Sequence, residues 1–309
     1  MPAVTIERQP LSLYGLWLNL AVISGTWGSS FLFVKLISQA VPPFAFAAAR
    51  GFIAMAALLV WIAIRNFSGH TGGWRAQLAD RKNFRHVLVL GTTNGWLTNV
   101  LIVVAVRHVD SSVVAMSQAA VPLMVAFLAH FLFAEERFRL AQLGGILIGL
   151  AGILLIIGPF AIYGAAGSLL GVGAMLLAAL CYACGTVYGR QVAAADPTAL
   201  ACGQQAFGAF VAVVISLCIE SPMLESQPAR IWGLFVIIGV LCSAVPTVLY
   251  LRLLALTASV PAAFVAYLQP VWATLLGWTV LGERIQVTAL CGTGLVFAGI
   301  IMSTRRAVR

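Results

Sequence analysis

Residues 140–189 read LAQLGGILIGLAGILLIIGPFAIYGAAGSLLGVGAMLLAALCYACGTVYG, fifty residues without one Asp, Glu, Lys or Arg. As a single helix this stretch would be about 75 Å long at 1.5 Å per residue, whereas a bilayer core is about 30 Å thick. It must therefore cross a membrane twice. Turn-prone residues between Gly158 and Gly167 mark the break, so the stretch predicts two transmembrane helices, Ala141–Ile157 and Ser168–Tyr188.

The rest of the chain has the same character. Of its 309 residues 61% are hydrophobic and 9% are charged, and the mean hydropathy is +1.01. Soluble domains carry about 25% charged residues, so a soluble protein is excluded, as are a disordered chain and a small disulfide scaffold. The remaining apolar runs predict eight further spans: Leu13–Val34, Pro43–Ile64, Val87–Val106, Ser111–Phe133, Pro197–Ile219, Ile231–Leu251, Val260–Val280 and Ile285–Ser303.

The chain is therefore expected to be an all-α integral membrane protein with ten transmembrane helices. A cleaved signal peptide is the alternative for Leu13–Val34, but this run is longer than a signal peptide's apolar region and is followed by Lys35.

The formal net charge of +9 would suggest a nucleic-acid surface on a soluble domain, but here it is a topology signal. Ten spans place both termini on one side, and thirteen of the 18 Lys and Arg residues fall on that side. Four others, Lys35, Arg107, Arg230 and Arg284, fall on the opposite side, and Arg50 lies within a span. The positive-inside rule then predicts cytoplasmic termini in a bacterial-type inner membrane and no nucleic-acid partner.

The second half of the sequence repeats the first. At an offset of 148 residues Pro122 matches Pro270 and Glu135 matches Glu283, while nearer the start the offset is 155 and Pro42 matches Pro197. Two repeats are expected, residues 1–159 and 160–309, each with five spans. An odd number of spans inverts the second repeat, which is typical of secondary transporters with a central site; duplication for stability alone is the other interpretation. Because one chain completes such a site, a monomer is expected.

These residues resemble the drug/metabolite transporter superfamily, and within it the EamA-type ten-helix exporters. The resemblance covers essentially the whole chain, and YddG-type exporters of aromatic amino acids are the nearest in pattern. It rests on Trp27-Gly28-Ser29-Ser30-Phe31 with Lys35, Pro42-Pro43 with Arg50, Pro122 with Glu135-Glu136-Arg137, and Gln269-Pro270 with Gly282-Glu283-Arg284. One departure is that Gln205 stands at the second-repeat equivalent of Arg50.

The resemblance implies a central cavity lined mainly by the first, third, fourth, sixth, eighth and ninth helices. It implies a small-molecule substrate and no cofactor. Polar residues within spans are costly in lipid and aromatic rings suit stacking, so the following are expected at the cavity: Trp27, Ser30, Asn94, Trp96, Gln118, Tyr182, Pro246, Tyr250, Tyr267 and Gln269. For the aromatic residues, ordinary packing or an interfacial position is the alternative.

Three charged residues are candidates for gating or structural roles. Arg50 lies about 10 Å into its helix. Its role is either structural, by extending to the extracellular interface or capping a neighbouring helix end, or functional, by contacting an anion such as a substrate carboxylate or forming a gating ion pair. Glu135 and Glu283 end the fourth and ninth spans and either cap the next helix or form gates on opposite faces.

The leading function is a secondary transporter that exports small metabolites, amino acids and aromatic ones among them. Exporters of cationic drugs, purines or other metabolites share the same fold. An intramembrane protease suggested by Glu135-Glu136 lacks the required arginine at position 140 and any later histidine, and a channel lacks a filter-like loop. The chain has no GxxxxGK[ST] loop and is therefore not itself an ATPase. No Asp or Glu lies deep in a span, which favours uncoupled transport over proton coupling.

Overall fold

The structure is a computed structural model and describes residues 12–67, 81–108, 118, 120–136, 140–157, 169–192, 195–220, 227–281 and 287–304. Every regular element in these ranges is helical, as the sequence predicts. The α-helices are α1 Leu13–Ser38, α2 Pro43–Phe67, α3 Arg81–Leu90, α4 Leu97–His108, α5 Val121–Leu132, α6 Leu140–Ile157, α7 Leu169–Gln191, α8 Pro197–Ile219, α9 Ala229–Gly239, α10 Val245–Leu256, α11 Ser259–Ala263, α12 Val265–Leu281 and α13 Val287–Thr304.

Five helical stretches in the described part of the chain are clearly long and apolar enough to cross a membrane. They are Leu13–Ser38, Pro43–Arg65, Asn83–His108, Pro197–Ile219 and Ala229–Leu256. Shorter apolar helices include Val121–Leu132 and Leu140–Leu155, and large apolar side chains such as Leu217 face outward. These features fit a multi-pass membrane protein. The count of ten spans and the inverted repeat stay predictions.

Two of the long helices contain a wider turn that the sequence analysis did not anticipate. A π-helical segment, Gly91–Trp96, joins α3 to α4, and a second one, Val240–Ala244, joins α9 to α10. The offset of 148 residues places the second at the equivalent position of the first. Single π turns within α-helices are frequent at functional sites, and both of these border the cavity described below.

Glycine contacts hold α6 against α13 within the chain. A Cβ added at Gly145 would lie 2.5 Å from the carbonyl oxygen of Gly299, and one at Gly152 would lie 2.6 Å from that of Gly292. Any side chain at these positions would push the backbones apart, so the glycines permit close helix packing.

Charged side chains cap helix ends across the fold. Glu220, at the end of α8, accepts hydrogen bonds from the backbone N–H groups of Phe44 and Ala45 at 2.9 and 2.8 Å. A carboxylate at a helix N-terminus satisfies unpaired N–H groups and complements the helix dipole. Arg107 donates to the carbonyl oxygens of Ser38 and Val41 just after α1. These contacts fix the chain between α1 and α2.

Candidate functional site

A cavity of about 80 Å³ lies among the helices. Its walls come from α1, α2, the third span around the first π segment, α7, α8, the second π segment with α10, and α12. The lining residues are Trp27, Ser30, Phe31, Val34, Arg50, Asn94, Thr98, Asn99, Ile102, Gln118, Tyr182, Gln204, Gln205, Cys242, Ser243, Thr247, Tyr250, Leu251 and Gln269. The lining is mostly polar or aromatic, which is unusual for the interior of a membrane protein and typical of a solute site.

Three aromatic rings form one wall of this cavity. The ring centroid of Trp27 lies 5.5 Å from that of Tyr182, edge to face, and 5.1 Å from that of Tyr250. The centroids of Tyr182 and Tyr250 are 5.7 Å apart, and the Tyr250 hydroxyl is bonded to Thr186 at 2.9 Å. We refer to Trp27, Tyr182 and Tyr250 as the aromatic wall. It offers ring faces to an apolar, aromatic or cationic group.

Among the described residues that line the cavity, Arg50 is the only charged one, and its side chain is buried. Its Nε donates to Ser243 Oγ at 2.5 Å, and its Nη2 donates to the carbonyl oxygen of Cys242 at 2.9 Å. That carbonyl is available because Pro246, four residues later, has no N–H to donate to it. A guanidinium has five N–H donors, so these two bonds leave three for a ligand.

This geometry differs from the expected extension of Arg50 to the interface. Arg50 does not extend to an interface: its guanidinium is held inside the protein by Ser243 and Cys242. Arginine deep in a span is expensive, and neutral partners only partly offset that cost. An anion in the cavity would complete the site electrostatically.

Buried polar atoms without a hydrogen-bond partner also surround the cavity. Among the described residues these include Asn94 Oδ1, Gln204 Oε1 and the Tyr182 hydroxyl. By contrast, Gln205 donates to Thr247 at 3.4 Å. Unpaired buried polar groups are rare in folded proteins and cost about 1–3 kcal/mol each. Their concentration on one cavity indicates a ligand or water that supplies donors.

The first π segment and nearby glycines bring Asn94 to this position. A Cβ at Gly185 on α7 would lie 2.1 Å from Asn94 Oδ1, so the amide occupies the space that the missing side chain leaves. Gly91 and Gly95 lie against the backbone carbonyl of Gln204, which brings α8 close to the same turn. The wide turn and three glycines together place two amide side chains at the cavity.

Of the ten residues expected at the cavity, the structure places seven there: Trp27, Ser30, Asn94, Gln118, Tyr182, Tyr250 and Gln269. That they contact a substrate stays a prediction.

The other three do not line it. Trp96 stacks on Phe44 with centroids 6.2 Å apart. Tyr267 is fully buried and donates to the carbonyl oxygen of Ile146 at 2.8 Å, while Pro246 acts through the carbonyl of Cys242.

The remaining polar lining residues were not selected from the sequence. Gln204, Gln205 and Asn99 are polar residues within spans, and such side chains also commonly hold helices together. Thr98, Ser243 and Thr247 had no distinguishing signal, because short hydroxyl side chains in membrane helices commonly bond their own backbone, as Thr98 does to the Thr93 carbonyl. Their place follows from the π segments, which no hydrophobic pattern reveals.

A buried cluster joins the turn after α5 to α11. Glu136, in the turn after α5, accepts from the Ser259 backbone N–H at 3.0 and 2.9 Å and from Ser259 Oγ at 3.2 Å. Arg190 Nε lies 3.7 Å from its Oε1. Burial raises the pKa of Glu136, and the Ser259 bonds and Arg190 oppose that rise. The cluster links α5, α7 and α11.

The neighbouring acid, Glu135, is exposed, and its capping or gating role stays a prediction. Glu283 lies outside the described residues.

Comparisons with known proteins agree with this architecture. The chain matches the EamA-like transporter family over residues 14–158 and 169–305. It is 24% identical over 290 residues to YoaV of Bacillus subtilis (strain 168), described as an uncharacterized transporter, with 92% of this chain and 96% of that protein covered. It is 27% identical over 301 residues to YedA of Escherichia coli (strain K12), described as an uncharacterized inner membrane transporter, with 96% and 92% covered.

A solved crystal structure shares the fold, with a TM-score of 0.73 at 19% identity, covering 96% of this chain and 98% of the other. The two matched ranges together take in all of the cavity-lining residues. The chain belongs to the EamA-like transporter family.

Proposed function

We propose that this transporter exports amino acids, aromatic ones included, and that it acts as a YddG-type exporter. The observation that carries the proposal is the pairing, in one cavity, of the Arg50 guanidinium with the aromatic wall. Arginine recognises carboxylates through paired N–H donors, and the aromatic wall suits an apolar or aromatic side chain. An amino acid carries both groups.

The charge of the site argues against the main competing substrates. Arg50 is the single charge among the lining residues that the structure describes, so a cationic drug would meet repulsion in a low-dielectric setting. A neutral purine would stack on the aromatic wall but would leave the spare donors of Arg50 without an anionic partner. Both remain outcomes of the test below.

The proposed transport mechanism is alternating access between two inverted five-helix repeats, residues 1–159 and 160–309, in one monomer. Three features support it. The family matches the chain over two ranges, 14–158 and 169–305, and the two π segments lie at equivalent positions. Residues of both halves line the cavity. The thirteen-to-four distribution of Lys and Arg supports cytoplasmic termini in an inner membrane. Export then moves a substrate from the side that carries Glu136 to the side that carries Arg107.

The test is transport by the purified chain in proteoliposomes. Vesicles would be given radiolabelled phenylalanine, tryptophan, alanine, a purine base and a cationic dye, with protein-free vesicles and a Trp27→Ala variant in parallel. We expect phenylalanine and tryptophan to cross faster than in protein-free vesicles, and the variant to lose most of that excess. Transport of the dye or the purine without any amino acid would overturn the proposal.

A further inference from the structure

The cavity contains a second polar group, which accepts hydrogen bonds, whereas Arg50 donates them. Asn94 Oδ1 and Gln204 Oε1 are carbonyl oxygens that are buried and unpartnered in the described part of the chain, and Gln204 as a whole is 3% exposed. Both residues line the cavity. Carbonyl oxygens accept hydrogen bonds and carry partial negative charge, so this group complements a donor, whereas Arg50 complements an acceptor.

The location of the two amides makes this more than a chance pair. Asn94 projects from the first π segment into the space left by Gly185, and the backbone of Gln204 packs on Gly91 and Gly95 of that segment. Packing therefore places the Asn94 side chain and the Gln204 backbone, and neither amide oxygen has a hydrogen-bond partner among the described residues. Tyr182 belongs to the same lining.

An ammonium group fits this arrangement better than a neutral donor does. It has three N–H donors, and here it would meet the two amide oxygens. Its positive charge would also be attracted by the faces of the aromatic wall. A water molecule also offers two donors, but it carries no charge for the faces of the aromatic wall to attract.

We propose that Asn94 and Gln204 form an ammonium subsite, and that the substrate is recognised as a zwitterion with its carboxylate at Arg50 and its free α-ammonium at these two oxygens. This inference rests on the proposed function and narrows it to amino acids whose amine and carboxylate are both free. The two amide side chains then select for the ammonium group, because an anion that lacks an amine forms no hydrogen bonds with their oxygens. Arg50 selects for the carboxylate, because it repels a cation that lacks one.

Three probes of nearly equal size separate the two ends of the substrate. Phenylalanine has both groups, 3-phenylpropanoate lacks the ammonium, and 2-phenylethylamine lacks the carboxylate. Each would be used to compete with labelled phenylalanine for transport in proteoliposomes. We expect 3-phenylpropanoate to compete about 10- to 100-fold more weakly than unlabelled phenylalanine, the loss that hydrogen bonds to a charged group produce.

Variants of Gln204 and Asn94 then test whether these residues cause the weaker competition of 3-phenylpropanoate. In Gln204→Leu and Asn94→Leu, competition by unlabelled phenylalanine should weaken toward the level of 3-phenylpropanoate, while competition by 3-phenylpropanoate should change little. Gln204→Glu keeps an acceptor and adds a negative charge, so it should retain phenylalanine and improve competition by 2-phenylethylamine, which a merely structural role would not do. Asn19→Leu is the matched control, because the Asn19 amide bonds its own helix at Gly15 and does not line the cavity.

The outcomes separate this inference from the function beneath it. If phenylalanine is transported but 3-phenylpropanoate competes equally well, or if the amide variants weaken both compounds alike, the ammonium subsite is wrong and the proposed function stands. If no amino acid is transported at all, the proposed function fails and the subsite with it. A variant that does not fold leaves the comparison of the three compounds on the wild-type protein as the deciding result.

Discussion

Replacing Arg50 with glutamine separates a role in substrate binding from a role in folding. The substitution removes the single charge of the cavity lining together with its bonds to Ser243 and Cys242. Insertion scales assign about 2.5–3.5 kcal/mol to an arginine at the centre of a membrane helix, and that cost disappears in the variant. Two lost hydrogen bonds, each worth about 1.5–3 kcal/mol when a charged group takes part, act in the opposite direction. These two effects are of similar size, so the stability of the fold should change little.

Transport should respond much more strongly than stability. A carboxylate that loses its charged partner gives up about 1.5–3 kcal/mol, which corresponds to roughly a 10- to 150-fold fall in kcat/KM for phenylalanine. Competition by 2-phenylethylamine, which has no carboxylate, should stay the same or improve because the repelling charge is gone. Arg50→Lys keeps the charge without the paired N–H geometry, so its kcat/KM for phenylalanine should lie between those of the wild type and Arg50→Gln.

The assay is initial-rate transport in proteoliposomes, with thermal unfolding of the same preparations followed in detergent. Arg252→Gln is the matched control, since Arg252 is exposed on α10 and does not line the cavity. An equal loss of phenylalanine and 2-phenylethylamine transport would refute the reasoning, as would unchanged phenylalanine transport. A melting temperature that falls far more than the control's would assign Arg50 to folding instead.

Three further changes test other parts of the structure. Gly185→Ala should displace the Asn94 amide and reduce phenylalanine transport at least tenfold, whereas Gly173→Ala, which adds a Cβ in open space, should leave transport rates unchanged. Trp27→Leu removes two ring contacts, so the preference for phenylalanine over alanine in transport should fall about 2- to 10-fold. The folded protein holds the Glu136 proton more tightly than the unfolded chain, because burial raises this pKa; its contribution to stability should therefore fall as pH rises through that raised pKa. Glu136→Gln should remove this pH dependence in thermal unfolding, and a curve identical to that of the wild type would contradict the assignment.

Helix positions could be predicted well from the sequence because lipid exposure acts on every residue of a span. The uncharged stretch of residues 140–189 was divided at its glycines into Ala141–Ile157 and Ser168–Tyr188, and the structure has α6 at Leu140–Ile157 and α7 at Leu169–Gln191. Length and hydropathy decide such boundaries locally. The same reasoning placed Arg50 inside a span and so singled it out as a costly residue.

Side-chain direction could not be predicted in the same way. Each residue turns about 100° around a helix, so one extra residue in a turn redirects everything beyond it. The π segment at Gly91–Trp96 is such a change. Asn94 of this segment lies at the cavity, whereas Trp96, on the other side of the same helix, stacks on Phe44. Tyr267 had the polar edge expected of a lining residue, yet Gly149 gives its ring space beside α6 and the Ile146 carbonyl takes its hydroxyl.

For the adjacent acidic residues Glu135 and Glu136 after α5, the sequence could not predict which carboxylate is buried. Glu135 aligned with Glu283 across the repeat and was therefore selected, but the buried contacts to Ser259 and Arg190 belong to Glu136. Both are identical residues in one turn, and only the position of α11 decides which carboxylate is buried. Such a choice depends on packing between distant segments and has no local signal.

The most direct test of the whole account is a structure of the protein in lipid nanodiscs with saturating phenylalanine. The account predicts one phenylalanine in the cavity, with its carboxylate within hydrogen-bond distance of the Arg50 guanidinium, its ammonium at Asn94 Oδ1 and Gln204 Oε1, and its ring against the aromatic wall. A cavity without phenylalanine, or an amino acid bound with its carboxylate directed away from Arg50, would contradict it.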